Sequence, residues 1–244
     1  MQYKEILPVP ALRQFIDCYW VLKNNDKETY RNRILPDGCV DIIFNFGESC
    51  KVENHTLQHS NTYLVGAMTS YQISYISPNA DLIGIRFKPF GFNCLHNFCS
   101  LHEITDATIE FDRKLAPDFL KVSKFSYAYL NEYFSAKNIS RENLSPLPRI
   151  INDIQNKSGR VGVEELIDQC CITARQLERI FKKEVGLTPK KFISIIRNKS
   201  AMRELQQRSP GTTLLHIALK YGYYDHSHLC KEIKKFSGQT PSVL

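Results

Sequence analysis

One stretch of this chain occurs twice. Leu177 to Pro189 reads LERIFKKEVGLTP, and 52 positions later Leu229 to Pro241 reads LCKEIKKFSGQTP. Six of the thirteen positions are identical in one ungapped register: Leu, Lys, Lys, Gly, Thr and Pro. The fifth position is apolar in both copies (Phe181, Ile233) and the third is basic in both (Arg179, Lys231). Two copies make a duplicated unit and not a solenoid, whose stacked repeats need at least three. Each copy reads as an amphipathic helix that carries a Lys-Lys pair, stops at glycine and restarts at Thr-Pro.

The residues around the repeat supply the rest of each unit. Val163, Leu166, Ile167 and Cys170 form an i, i+3, i+4, i+7 apolar stripe. Thr173 is the expected N-cap of the next helix, whose inner face is Ala174, Leu177, Phe181 and Val185. Gly186 suits the left-handed position that ends it, and Thr188-Pro189 opens a further helix as N-cap and first residue. That helix runs from Lys190 to about Gln207 with Phe192, Ile195 and Ile196 inward, until Ser209-Pro210-Gly211 breaks it. Leu214, Ile217, Ala218 and Tyr221 form the next stripe, closed by Gly222. Asp225 caps the last helix, with Leu229, Ile233 and Phe236 inward. Each unit is therefore a short helix joined tightly to a basic one, the pattern of a helix-turn-helix.

Charge divides along the same line. Residues 149–244 hold 17 Lys and Arg against 9 Asp and Glu, whereas residues 1–148 hold 15 against 16. All of the net +7 thus lies in the half with the repeat, which favours a nucleic-acid-binding segment attached to a neutral module. No apolar run approaches the ~20 residues that span a bilayer, and the opening MQYKEILPVP lacks a secretory apolar core. The expectation is a cytoplasmic protein with no membrane association, whose eight cysteines stay reduced.

Residues 1–120 read mainly as β-structure. YRNRILPDGCVDIIFNFG places β-rich runs on both sides of Asp37-Gly38, a hairpin-turn dipeptide. TYLVGAM and ISYISPNADLIGIRFKPFG continue the pattern, with Pro78-Asn79 at a turn. Short strands at this spacing suggest a small antiparallel barrel or sandwich, interrupted by a helix near Phe92 to Cys99. Lys121 to Phe134, apolar or aromatic at 122, 125, 129 and 130, reads as a helix. The polar, proline-bearing stretch 136–148 is the expected linker, dividing a domain at 1–135 from one at 149–244.

The outward faces of the duplicated helices carry the function. Arg175, Arg179 and Lys182 lie opposite the apolar stripe of the first, and His228, Lys231 and Lys235 occupy the same side of the second, with His226 and Ser227 at its start. A helix in the major groove needs long donors near its N-terminus for base edges and flanking positive charge for phosphates. With the runs VGVEELIDQCCITARQLERIFKKEVGLTPKKF and IALKYGYYDHSHLCKEIKKFSGQTP in view, residues 161–244 resemble the tandem helix-turn-helix domain of AraC/XylS-type transcriptional regulators. The resemblance implies two recognition helices placed in successive major-groove segments of double-stranded DNA. Carried over by position, it makes Arg175, Glu178, Arg179, His226, Ser227, His228 and Lys231 base readers. Lys182, Lys183, Lys234 and Lys235 would meet phosphate. Ile233 stands where the family usually has phenylalanine. RNA polymerase as a partner and activation over repression are further implications.

The N-terminal half has a looser resemblance. LPDGCVDIIFNFG and IGIRFKPFGF look like the cupin-like domain that precedes this DNA-binding domain in one branch of the family. That implies a small-molecule effector, a homodimer through the N-terminal domain, or both. Arg33, Asp37, Asp41 and Arg86 are the polar groups on or beside strands singled out for a ligand, with turn formation and surface ion pairing as their alternative. Trp20, the sole tryptophan, is expected in the core.

Other chemistry finds less support. Cys94, His96, Cys99 and His102 are zinc-type ligands close in sequence, yet a helix over 92–99 sets Cys94 and Cys99 about 140° apart. One tetrahedral site would need that helix interrupted, so no metal is expected. Cys170 lies on a buried stripe, which argues against redox sensing by Cys170-Cys171. No nucleophile elbow, Walker loop or dinucleotide fingerprint supports catalysis. The expectation is an α+β multidomain chain: a β-rich cupin-like domain followed by an all-α tandem helix-turn-helix domain. It acts as a sequence-specific DNA-binding regulator, not an enzyme, and needs no cofactor. A metal- or redox-responsive regulator, and a cupin-like enzyme fused to a DNA-binding module, are the alternatives.

Overall fold

The computed structural model of the chain describes residues 1–96, 100–137, 146–209 and 211–241. Its first half is β-rich: β1 (Gln2–Ile6), β2 (Ile16–Asn24), β3 (Tyr30–Ile34), β4 (Val40–Asn45), β5 (Cys50–Val52), β6 (His55–Leu57), β7 (Thr62–Val65), β8 (Gln72–Ile76), β9 (Ala80–Phe87) and β10 (Thr108–Glu110). They form two antiparallel sheets, one ordered β1-β2-β9-β4-β7-β10 and one ordered β3-β8-β5-β6. Side-chain alternation makes the larger sheet two-faced. Ile83, Ile85 and Phe87 of β9 join one apolar cluster, which also takes in α1 (Gly91–His96) and α2 (Phe119–Ser135). Leu82, with Trp20 and Leu22 of β2, faces the smaller sheet.

Asp37-Gly38 is a turn, but not the hairpin its sequence announces. β3 pairs with β8, while β4 pairs with β7 and β9, so the turn carries the chain from one sheet to the other. Its local chemistry is as read: Asp37 Oδ1 accepts the Cys39 N–H at 2.9 Å and Gly38 has φ 78°. Turn residues set a change of direction; which strands pair is decided by how their faces pack. Pro78-Asn79 likewise leads from β8 in one sheet to β9 in the other.

The second half is helical: α3 (Leu147–Asn156), α4 (Val163–Cys170), α5 (Ala174–Glu184), α6 (Pro189–Gln206), α7 (Leu214–Lys220) and α8 (His226–Ser237). One core joins them, with Leu177, Phe181, Phe192, Ile195, Ile217, Leu229 and Ile233 essentially sealed from solvent. Ala174 is a correction: it sits at the first helical position of α5 and is exposed, one turn short of the buried stripe. In α4 only Leu166 is fully buried, and Val163, Ile167 and Cys170 pack at the edge of the core. α2 bends at Ser126 (φ 49°, ψ −131°), a break that the apolar spacing does not reveal. Val122 and Leu130 are buried as expected, while the Phe125 side chain lies outside the described residues. So do Cys99 and most of the expected linker.

The two halves share a seam. Ala67, Leu35 and Phe90 of the β-rich half pack into the helical core. Tyr71, just before β8, lays its ring on Gly238 at the end of α8, and the Phe192 ring of α6 lies on Gly38. Asn93 Nδ2 donates to the Lys183 carbonyl at 3.1 Å, and Thr105 Oγ1 donates to the Gly186 carbonyl at 2.6 Å.

Candidate nucleic-acid interface and interior cavity

The repeat in the sequence is a repeat in three dimensions. α5 starts at Thr173, whose Oγ1 accepts the Gln176 N–H at 3.2 Å while Gln176 Oε1 accepts the Thr173 N–H at 2.8 Å, a full capping box. α8 starts 52 residues later at Asp225, whose Oδ1 accepts the His228 N–H at 2.7 Å. Each helix ends before a left-handed glycine, Gly186 (φ 85°) or Gly238 (φ 72°). Leu177 and Phe181 bury one face of α5, as Leu229 and Ile233 bury the matching face of α8. Burying the shared stripe turns the remaining positions outward.

Arg175, Arg179, His226 and Lys231 are exposed, and none enters a side-chain hydrogen bond or ion pair among the described residues. Ser227 is exposed beside them. Glu178 and Lys182 instead pair with each other at 2.7 Å, and Lys183 lies 3.6 Å from Glu184. A paired surface charge of this kind contributes little stability, but it must rearrange before it meets a base or phosphate. His228 is half-buried: its Nδ1 accepts the Tyr224 N–H at 3.3 Å, and its ring stacks on Tyr224 with centroids 5.4 Å apart. Lys234 and Lys235 are exposed on the last turn of α8. Tyr224 itself is 89% exposed at the head of α8. The sequence reading missed it because it lies in a turn, where no periodicity marks it.

Between the two sheets lies a cavity of about 390 Å³. Its walls are mainly apolar, with Trp20, Leu22, Ile34, Ile43, Val52 and Ile76 among them. Asp37, Asp41 and Arg86 meet at its edge. Arg86 Nε is 3.5 Å from Asp41 and 3.6 Å from Asp37, and Trp20 donates from Nε1 to Asp41 Oδ1 at 2.7 Å. Burial holds the Asp41 carboxyl above the usual carboxylate range, against the pull of Arg86, and Asp41 in turn holds the Arg86 guanidinium firmly charged. Burial also pushes the Cys39 thiol up. Trp20 is buried as expected, but as part of the cavity wall.

Arg33 contributes to the same wall, yet its register differs. Asn32 pairs with Ser74 and Arg33 with Ile73, so Arg33 projects to the face opposite Ser74. There its guanidinium lies 5.5 Å from the centre of the Tyr71 ring. Lys199 of α6 also lines the cavity, from the helical half; nothing in its own helix marks it.

Of the Cys and His set, the three described members, Cys94, His96 and His102, do not converge. Cys94 is exposed, His102 Nδ1 is 3.0 Å from the Gly186 carbonyl, and His96 sits among four phenyl rings. Among the described residues no group of three or more His, Cys, Asp or Glu could hold a metal ion. Cys170 and Cys171 are free, the first half-buried and the second exposed.

Comparison with known proteins identifies the C-terminal domain. Residues 166–244 match a helix-turn-helix domain family, and residues 4–110 match a domain family whose function is unknown. The HTH-type transcriptional activator RhaS of Pectobacterium atrosepticum is 32% identical over 90 residues, 36% of this chain and 31% of RhaS. The HTH-type transcriptional activator AarP of Providencia stuartii is 28% identical over 88 residues, 36% of this chain and 64% of AarP. The chain therefore spans about a third of the length of the first-matched relatives. ToxT of Vibrio cholerae has a similar fold, with a TM-score of 0.50 at 12% identity, covering 100% of this chain and 97% of ToxT. Residues 166–244 are thus a helix-turn-helix domain of the kind these transcriptional activators carry, and the chain as a whole, a β-rich half of two antiparallel sheets followed by a helical half with two like units, has the ToxT fold.

Proposed function

We propose that this chain is a sequence-specific DNA-binding transcription regulator in which α5 and α8 read two major-groove segments of one duplex. One observation carries the reading: two helices of matching caps, burial and glycine ends present unpaired Arg175, Arg179, His226 and Lys231 to solvent. Glu178, Ser227 and His228 complete the base-reading set, and Lys182, Lys183, Lys234 and Lys235 serve the phosphates. Residues 149–244 bind DNA; residues 1–135 sense and pair.

The sensing role rests on the cavity, with Asp37, Asp41 and Arg86 at its polar end and Arg33 on its outer wall. A cavity of a few hundred Å³, mainly apolar with a few convergent polar groups, suits a small-molecule effector. Activation through RNA polymerase is favoured because RhaS and AarP are both transcriptional activators. Exposed Leu120 and Tyr127 on α2 favour pairing of two copies through the β-rich half. The reading places the protein in the cytoplasm, where its thiols stay reduced. Among the described residues no helix is long and apolar enough to cross a membrane.

The test is selection of bound sites from random duplex DNA with the full chain, followed by affinities at several salt concentrations. Two short enriched blocks about one helical turn apart, with a steep salt slope, are expected. Lys235→Ala should weaken binding to every sequence alike and lower that slope by about one unit. Absence of enrichment, with and without candidate effectors, rejects the regulator reading.

A further inference from the structure

The cavity and the seam are built from the same pieces of chain. Asp37 and Cys39 line the cavity, and Gly38 between them lies against Phe192 of α6; a Cβ there would stand 2.5 Å from the ring. Gln72 and Ser74 of β8 line the cavity, and Tyr71 directly before them lies on Gly238, where a Cβ would stand 2.5 Å from the ring. Each half thus offers one aromatic ring to a glycine of the other. Both glycines have positive φ, 78° and 72°, so neither contact tolerates a side chain.

The Tyr71 contact has the features of a joint. Gly238 ends α8, so whatever moves Tyr71 acts on the end of the second recognition helix. Arg33 lies against the same ring, and its buried Nε has no hydrogen-bond partner among the described residues. Its contact with the Tyr71 ring, and not a hydrogen bond at Nε, is what ties that side chain to the joint. On the cavity side, Ser74 is 1% exposed and its Oγ also lacks a partner. An unpaired hydroxyl in an apolar wall favours an occupant with an apolar body and a hydrogen-bonding group turned toward β8.

Building on the regulator reading, we propose that Tyr71 transmits cavity occupancy to DNA binding. An occupant displaces Gln72 and Ser74, the β8 backbone carries the shift to Tyr71, and the ring changes the position of α8 relative to α5. Two helices that must enter successive major-groove segments together are sensitive to such a change, and the cavity controls affinity through it.

The experiment supplies its own occupant. Ser74→Leu fills part of the cavity from inside without breaking a side-chain hydrogen bond, and Tyr71→Ala removes the ring from Gly238. DNA affinity of the full chain on its selected site is measured for each variant, for the pair together, and for Tyr71→Phe. Trp20 emission confirms that each variant is folded and that the cavity wall is intact. Ser74→Leu is expected to change DNA affinity at least fivefold in the wild-type background and less than twofold beside Tyr71→Ala. Tyr71→Phe, which keeps the ring, should preserve the full response.

As a second arm, 1-anilinonaphthalene-8-sulfonate, an apolar body with an acceptor group, is titrated against Trp20 emission. It should quench Trp20 equally in wild type and Tyr71→Ala, yet shift DNA affinity only in the wild type. Effects of Ser74→Leu and Tyr71→Ala that simply add would overturn the proposal, as would a probe response that survives Tyr71→Ala. Either result leaves the regulator reading standing so long as the wild type selects a defined site; loss of site selection by the wild type sinks that reading instead.

Discussion

At the scale of single residues, exposure and pairing separate the outward side chains. Arg179 is exposed and unpaired on the open face of α5, while Glu178 is tied to Lys182 at 2.7 Å. Arg179→Ala should therefore cost about 1–3 kcal/mol at one base position and relax specificity there; equal affinity and equal preference on the selected site would reject a reading role. Inside the β-rich half, His96 makes a different demand. Its ring centre stands 4.5 Å from Phe92 and 5.7–5.9 Å from Phe87, Phe111 and Phe134, and both nitrogens are buried, with only the backbone of Phe92 and Leu115 offering them hydrogen bonds. Burial, with Lys137 nearby, pushes its pKa down to about 3. The unfolded ring takes up its proton near pH ~6.5, so the unfolded state binds more protons between these values. The stabilising difference is complete above pH ~6.5 and is lost as pH falls toward 3, at up to about 1.4 kcal/mol per pH unit. His96→Phe, which keeps a ring in the cage, should flatten that acid limb in urea unfolding at pH 7, 6 and 5. An unchanged limb would mean that other groups dominate it.

Elements show what a sequence discloses and what it withholds. α5, α6 and α8 were legible because their signals are local: Thr173, Thr188 and Asp225 cap the helices that follow them, and each accepts a backbone N–H as expected. Their buried stripes follow from 3.6-residue spacing alone. The cap of α5 is open to test. Thr173→Ala should remove about 1 kcal/mol of stability, read as a lower urea midpoint, and weaken DNA binding by fraying the end that carries Arg175. A midpoint equal to wild type would show that Gln176 alone caps the helix. Strand pairing was not legible at Asp37-Gly38, because the dipeptide specifies a reversal and says nothing of the sheet that the next strand joins. The cavity was half-legible. Asp41 and Arg86 face each other because their strands pair in register, a long-range fact. Lys199 reaches the same cavity from α6, which no local pattern could announce.

For the whole molecule the question is how firmly the β-rich half holds α5 and α8. The Gly186 carbonyl, just beyond α5, accepts from Thr105 Oγ1 at 2.6 Å and faces His102 Nδ1 at 3.0 Å, and the Lys183 carbonyl accepts from Asn93 at 3.1 Å. These are carbonyls that a helix end leaves without intrahelical partners, so the β-rich half completes α5. Each such bond is worth about 0.5–1.5 kcal/mol net, and the apolar seam around Ala67, Leu35 and Phe90 adds to them. The molecule should then unfold as one unit. Two signals report the halves separately: Trp20, the sole tryptophan, belongs to the β-rich half, and most helix lies in the other. In wild type, urea transitions followed by Trp20 emission and by helical circular dichroism should coincide. His102→Ala with Thr105→Val strips both side-chain partners from the Gly186 carbonyl while leaving each core intact, so the two transitions should separate and the helical half should melt first. Transitions that stay superimposed in the double variant would locate the coupling in the apolar seam, and the hydrogen bonds to α5 would then be consequences of docking and not its cause.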